Sequence, residues 1–261
     1  MGAGATGVEL AAELRGAAER AVHYGLDHID PERDLQLTLI EGAQRVLPPL
    51  PEELAAKTAR QLRKMNVEIV TGELVTEVTE EGVTTKSGRF IPAAIKVWSA
   101  GIKAPTVLKE LGDLQTNRSN QLLTRQTLQT TLDDNVFALG DCAACPQAGT
   151  DRIVPPRAQA ASQQARFLVK AIERRLNDKP LPSFVYRDRG SLISLDTEQQ
   201  AVGQLMGKAI KGLMIEGFIA RWAYALLYKR HLMALHGGFK TGIMTLGNWL
   251  TRPVKGRLKL H

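Results

Sequence analysis

An α/β fold carrying two Rossmann-like dinucleotide-binding domains is what this sequence predicts, and three observations predict it. Residues 1–7, Met-Gly-Ala-Gly-Ala-Thr-Gly, set Gly2, Gly4 and Gly7 in G-x-G-x-x-G spacing at the head of an Ala/Leu/Glu-rich stretch. Residues 136–143, Val-Phe-Ala-Leu-Gly-Asp-Cys-Ala, deliver Gly140 and Asp141 from a short apolar run. Between the two motifs, segments of helical period and segments of strand period follow one another. Two such motifs imply two nucleotide cofactors.

In the first motif Gly2 makes the tight turn, Gly4 lets a pyrophosphate approach the backbone, and Gly7 permits close packing. The free N–H groups of the helix that follows hold the phosphates. A loop of this kind follows a buried strand, and only Met1 precedes it here. The chain is therefore expected to begin inside a fold, as part of a longer gene or behind a false start. No charged segment leads into an apolar stretch of signal-peptide length, so no export signal is read.

Val8, Ala11, Ala12, Leu14, Ala18 and Val22 supply the apolar positions of a helix expected to end near Gly25. A polar connection, 27–34, leads to Leu35-Gln-Leu-Thr-Leu-Ile-Glu41, which alternates as a strand does and ends in an acid. An acid there accepts hydrogen bonds from adenosine ribose hydroxyls and repels a 2′-phosphate, so Glu41 favours NADH over NADPH. A solvated acid at a strand end is the other reading. Residues 52–65 read as an amphipathic helix, and β segments are expected at 67–71, 74–79, 83–86 and 95–99, with turns at Glu80-Glu-Gly and Ser87-Gly. The last of these ends at Ala100-Gly101-Ile102. Gly101 either lets backbone approach a flat ring or is a turn glycine.

Residues 135–139 read as a short strand leading to Gly140-Asp141. A carboxylate on that turn reaches a polyol hydroxyl of a bound cofactor, with the next helix N-terminus facing its phosphates. Cys142 and Cys145 form Cys-x-x-Cys, which reads either as structural thiols or as a redox pair. Zinc would need a second pair of ligands, which the chain lacks. After Pro155-Pro156 a helix begins, and Gln159 and Gln163, four apart, share one face. Their amides suit a carbonyl-bearing ligand, or a plain polar surface.

The 261 residues are 44% hydrophobic and carry a net charge of +7, unevenly placed. From Ala201 onward there are ten Lys or Arg and one acid, Glu216. Apolar side chains interleave with these charges between Gly212 and Leu250, yet the longest unbroken apolar run, 222–228, is far below the ~18 residues that span a bilayer. The expectation is a helix pair lying in the membrane interface, with Trp and Tyr at headgroup depth and Lys and Arg toward anionic lipid. A helical subdomain packed on the body is the alternative.

Gly-Ala-Gly-Ala-Thr-Gly-Val-Glu-Leu-Ala-Ala-Glu-Leu, Trp98-Ser-Ala-Gly-Ile, Thr127-Leu-Gln-Thr-Thr, Ala138-Leu-Gly-Asp-Cys-Ala, Pro155-Pro-Arg-Ala-Gln-Ala-Ala and the basic aromatic tail together resemble bacterial type II NADH:quinone oxidoreductases, the non-proton-pumping respiratory NADH dehydrogenases. The resemblance covers essentially the whole chain. It implies a glutathione-reductase-like flavoprotein, incomplete at its N-terminus, with a helical membrane-anchoring C-terminal region. Residues 1–101 would be the NADH-binding domain without its first strand, 102–180 the second part of a split FAD-binding domain, and 181–261 the anchor.

By the same resemblance Gly2, Gly4, Gly7 and Glu41 hold NADH, and Glu9 is the acid near the nicotinamide end. Gly101 lies by the nicotinamide and flavin rings, and Gly140 and Asp141 bind FAD. Gln159 and Gln163 stand beside the flavin where quinone arrives. Hydride passes from NADH to FAD and two electrons to a membrane quinone. A homodimer on the cytoplasmic face of the bacterial plasma membrane is implied, with anionic lipid met by residues 201–261 and no nucleic-acid partner. The alternatives are a flavin disulfide reductase or sulfide:quinone oxidoreductase using Cys142 and Cys145, or a non-catalytic basic module.

Overall fold

The structure, a computed structural model, describes residues 1–23, 30–195, 201–206 and 211–251. The expected helix end near Gly25 and the tail residues Lys208, Arg252, Lys255, Arg257 and Lys259 lie outside the described residues. Two compact units form, one of 1–100 with 190–261 and one of 101–189.

In the first unit, helix α1 (Ala5–His23) buries Val8, Ala11 and Ala12, the face that the 3–4 residue spacing marks out. Its Arg15 is 2% exposed, and the guanidinium donates to Glu19 Oε1 at 3.2 Å and to the carbonyls of Pro31 and Leu35. That buried cation ties α1 to the short helix α2 (Pro31–Asp34), which Asp30 caps by accepting from Glu32 N and Arg33 N. Strand β1 (Leu37–Glu41) pairs in parallel with β2 (Val67–Thr71), Leu37 opposite Val67 and Glu41 opposite Thr71. The crossover between them is α3 (Glu52–Lys64), with acids in its first turn, bases in its last, and Leu54, Ala55, Thr58 and Leu62 buried.

Met1 and Gly2 sit on the other edge of β1. Gly2 N donates to Ile40 O at 2.7 Å, Met1 N to Val97 O at 2.8 Å, and Ser99 N to Met1 O at 2.8 Å. The strand expected at 95–99 does not form. Its backbone partner among the described residues is Met1 alone, and Ile95 and Trp98 stand 85% and 61% exposed. The three-stranded meander instead runs β3 (Val75–Val78), β4 (Gly82–Thr85) and β5 (Phe90–Pro92), all antiparallel.

The C-terminal part of this unit corrects an expectation. It is not helical throughout, because β8 (Gly190–Ser194), β9 (Ala201–Met206) and β10 (Lys211–Glu216) form an antiparallel sheet in the order β10-β9-β8. Ile193 and Leu195 enter the core of Ala3, Val8, Leu39, Leu47, Leu54 and Leu62. Helix α5 (Gly217–Thr251) follows as one helix broken at Gly237, where φ 79° and ψ 163° end one arm and start the next. Leu226, Tyr228, Leu235, Phe239, Ile243 and Leu250 on α5 are exposed. No helix among the described residues is long and apolar enough to cross a membrane.

In the second unit β6 (Leu122–Leu123) pairs in parallel with β7 (Ala143–Ala144), and α4 (Ala158–Leu176) lies against the turn before β7. Its core gathers Leu128, Cys145, Val154, Leu168 and Phe184, with Phe167 edge-on to Phe184 at 5.5 Å. The strand expected at 135–139 is reduced to a single bridge, Gln129 opposite Phe137. Residues 130–135 are held in a side-chain-bonded turn by Thr130, Asp133 and Arg125, too tight to leave room for a ladder. Gly140–Cys142 is one 3-10 turn rather than the start of a longer helix.

Candidate functional sites

The glycine loop is pinned from three sides. Ala3 N donates to Glu41 Oε2 at 2.7 Å, Leu47 N to Ala3 O at 2.8 Å, and the Ser99 hydroxyl lies 2.9 Å from both Met1 O and Gly2 O. The other Glu41 oxygen accepts from Ala43 N at 3.0 Å. The sequence places Glu41 at the end of β1, and the structure brings its carboxylate against the backbone of the loop. Ser99 lies in the Trp98-Ser-Ala-Gly-Ile stretch, but nothing in the sequence assigns its hydroxyl to the glycine loop.

Two glycines of the loop have different reasons. A Cβ on Gly7 would stand 1.9 Å from Gly2 O and 2.7 Å from Ser99 Oγ, so only glycine fits. A Cβ on Gly4 would meet nothing within 4 Å, leaving open space above the backbone. The N–H groups of Gly4 to Gly7, at the head of α1, make no hydrogen bond among the described residues. Open space, free amides and a helix N-terminus together make an anion cradle.

Glu9, one turn further on, is half-buried and accepts Ser194 N at 3.1 Å. Burial pushes its carboxyl above the ordinary value, opposed by the Ser194 N–H and aided by Glu13.

In the second unit the Gly140–Asp141 peptide is gripped by two buried glutamines. Gly140 N donates to Gln164 Oε1 at 2.7 Å, and Gln121 Nε2 donates to Asp141 O at 2.9 Å. Both glutamines are at most 3% exposed, and neither was singled out from sequence. Gly140 takes φ +68°, with Ala161 packed against it at ordinary contact distance. Gly101, at φ +102° with no atom near its missing Cβ, is held to glycine by its backbone alone.

Gln159 and Gln163 share a face of α4, as their spacing indicates, and both turn to the segment 187–189. Gln163 exchanges two bonds with the Arg187 backbone at 2.9 and 3.1 Å. Gln159 donates to Asp188 and accepts Arg189 N at 3.1 Å. The two thiols are free and part company. Cys142 Sγ donates to Leu139 O at 3.1 Å, while Cys145 is wholly buried, its thiol pushed up by desolvation. A redox pair needs an exposed thiolate of lowered pKa, the opposite of Cys145.

The family model for pyridine nucleotide-disulphide oxidoreductases matches residues 1–165. The chain belongs to the pyridine nucleotide-disulphide oxidoreductase family. The chain is 45% identical over its whole length to the type II NADH:quinone oxidoreductase of Haemophilus influenzae, of which it spans 58%. It is 33% identical over 95% of its length to the type II NADH:quinone oxidoreductase Ndh of Mycobacterium tuberculosis, spanning 52% of that protein. A solved structure of NDH2 from Plasmodium falciparum in complex with NADH covers all of the chain at a TM-score of 0.78 and 17% identity, with 66% of that chain covered. That likeness shows the fold. The chain thus spans little more than half the length of the curated relatives it matches.

Proposed function

We propose that this chain is the NADH-handling and part of the flavin-handling portion of a type II NADH:quinone oxidoreductase. The observation that carries the reading is whole-length identity to the Haemophilus influenzae enzyme at 45%, falling on a glycine loop built for a dinucleotide. Gly2, Gly4 and Gly7 would receive the NADH pyrophosphate on the open amides of α1. Glu41, preset by Ala3 and Ala43, keeps lone pairs for the ribose hydroxyls and repels a 2′-phosphate. Glu9 stands toward the nicotinamide end.

The residues of the second unit fit a flavin dinucleotide. Gln164 is 2% exposed with an amide nitrogen that has no partner among the described residues, and Gly101 has open space where a side chain would stand. FAD, when bound, supplies the redox chemistry between NADH and quinone. Asp141 holds the ribityl hydroxyls, Gly101 lies by the rings, and Gln159 and Gln163 face the quinone, which requires Arg187–Arg189 to share or release their amides. In this reading 1–101 is the NADH domain, 102–180 belongs to the FAD domain, and 181–261 is the membrane anchor.

The anchor rests on the exposed apolar side chains of α5 among Arg221, Lys229, Arg230 and Lys240, without an acid in the helix. Such a helix suits a peripheral position on anionic lipid at the cytoplasmic face of a bacterial plasma membrane, where quinone resides. A homodimer is part of the proposal, and nucleic acid is not a partner. Purified chain mixed with FAD, NADH and a short-chain quinone tests the core of it. Flavin-dependent NADH oxidation that needs the quinone supports the assignment, and quinone-independent NADH oxidation abolished by replacing both cysteines would move it to the disulfide reductases. Vesicles of anionic lipid should retain the chain at high salt, as nucleic acid would not.

A further inference from the structure

Gln164, against the Gly140–Asp141 turn, uses only half of its amide among the described residues. Gln121 donates to Asp141 O and accepts from Asn117 Nδ2 at 2.9 Å. Gln129 donates to Asp134 O and accepts from Thr127 Oγ1. Gln159 and Gln163 each use both ends on 187–189. Gln164 accepts Gly140 N at 2.7 Å, is 2% exposed, and its Nε2 makes no hydrogen bond among the described residues. Which end faces Gly140 is settled by chemistry, because an N–H can only donate and must meet the oxygen. The nitrogen is then held beside the same turn. Gln164 Nε2 is not among the fully buried orphan atoms, so this unbonded donor keeps a narrow opening beside the turn through which an acceptor from outside the protein can reach it.

We propose that Gln164 is a flavin-positioning residue, its oxygen fixing the Gly140–Asp141 peptide and its Nε2 donating to an acceptor oxygen of the flavin dinucleotide bound at that turn. The inference rests on reading Gly140 and Asp141 as flavin-binding. It differs from the roles of Gln159 and Gln163, which lie on the neighbouring face of α4 and bond to the segment 187–189.

Gln164→Glu separates the two halves of the role. Its carboxylate still accepts Gly140 N but donates nothing, so at a temperature where the variant is folded its FAD affinity, read by flavin fluorescence, should fall about tenfold or more at pH 8. Lowering the pH protonates the buried carboxyl, restores a donor and should restore affinity. Equal FAD affinity for Gln164→Glu and the unaltered chain at every pH overturns the inference alone. Absence of FAD binding by the unaltered chain overturns the flavin reading and the inference with it. If the variant fails to fold, the side-chain amide of Gln164 in the unaltered chain is followed by nitrogen-15 NMR. FAD should shift that signal and slow its hydrogen exchange, and an unmoved signal in FAD-saturated protein overturns the inference.

Discussion

Glu41 Oε2 accepts the backbone N–H of Ala3 at 2.7 Å, joining the end of β1 to the glycine loop across 38 residues of sequence. The acid proposed to read the ribose is thus also the acid that holds the loop. Glu41→Ala removes both functions. A hydrogen bond to a charged group contributes about 1.5–3 kcal/mol, so NADH affinity should fall roughly 10- to 100-fold, and the preference over NADPH should shrink because the repelling charge is gone. Fluorescence titration with both nucleotides checks this. An unchanged NADH to NADPH ratio would remove Glu41 from the ribose site.

Gly7 and Gly4 should respond to alanine in opposite ways. The Gly7→Ala methyl would sit 1.9 Å from Gly2 O, a backbone atom that cannot step aside without dragging Ala3 off Glu41. Overpacking of this kind costs about 1–3 kcal/mol, so the melting temperature should drop together with NADH binding. Gly4→Ala meets open space, so stability should hold while NADH binding weakens, because the methyl occupies the pyrophosphate's approach. Thermal melts with and without NADH distinguish the two.

The cysteines yield a third expectation. Cys145→Ser places a hydroxyl in a wholly buried site where the carbonyls of Arg125 and Pro146 lie 3.9 and 3.6 Å from the thiol, too far for a good O–H bond without a shift, so it should cost about 1 kcal/mol. Cys142→Ser, bonded to Leu139 O, keeps its acceptor and should leave stability near the unaltered value. Neither should abolish NADH:quinone turnover at a temperature where both variants are folded. Loss of turnover in well-folded Cys142→Ser would restore the redox reading.

What was legible in the sequence was local. The glycine spacing, the terminal acid of β1 and the Pro-Pro start of α4 are set by neighbours in the chain, and they fall at the head of α1, at the end of β1 and just before α4. Features decided by distant partners were not legible. Ile95 to Ser99 has strand composition, but a strand needs a ladder, and among the described residues it meets only the backbone of Met1. Phe90–Pro92, with a proline that cannot donate, pairs at the meander's edge through Gly82–Thr84 and carries no strand signal of its own. Gln163 and Gln164 are adjacent and chemically identical. One turns to the surface and the other to Gly140, and the helical rotation that decides between them depends on where Leu168 and Ala171 find a core.

Glu9 should make stability depend on pH in a stated direction. Burial raises its carboxyl above the ordinary 4.5, and the Ser194 N–H only partly offsets that. A raised folded value means that the folded state holds the proton more tightly than the unfolded chain does. The stability so contributed is fully present below pH 4.5 and is lost as pH rises through the folded value. Gln at this position keeps an oxygen for Ser194 N and carries no proton to lose. Melting curves of Glu9→Gln and the unaltered chain should therefore coincide near pH 4 and separate as pH rises, with the variant the more stable at pH 8. Glu9→Ala, which strands the Ser194 N–H, should lose that advantage. If the two curves stay parallel from pH 4 to pH 8, Glu9 titrates in the folded protein as it does in the unfolded chain, and its burial against β8 carries no electrostatic cost.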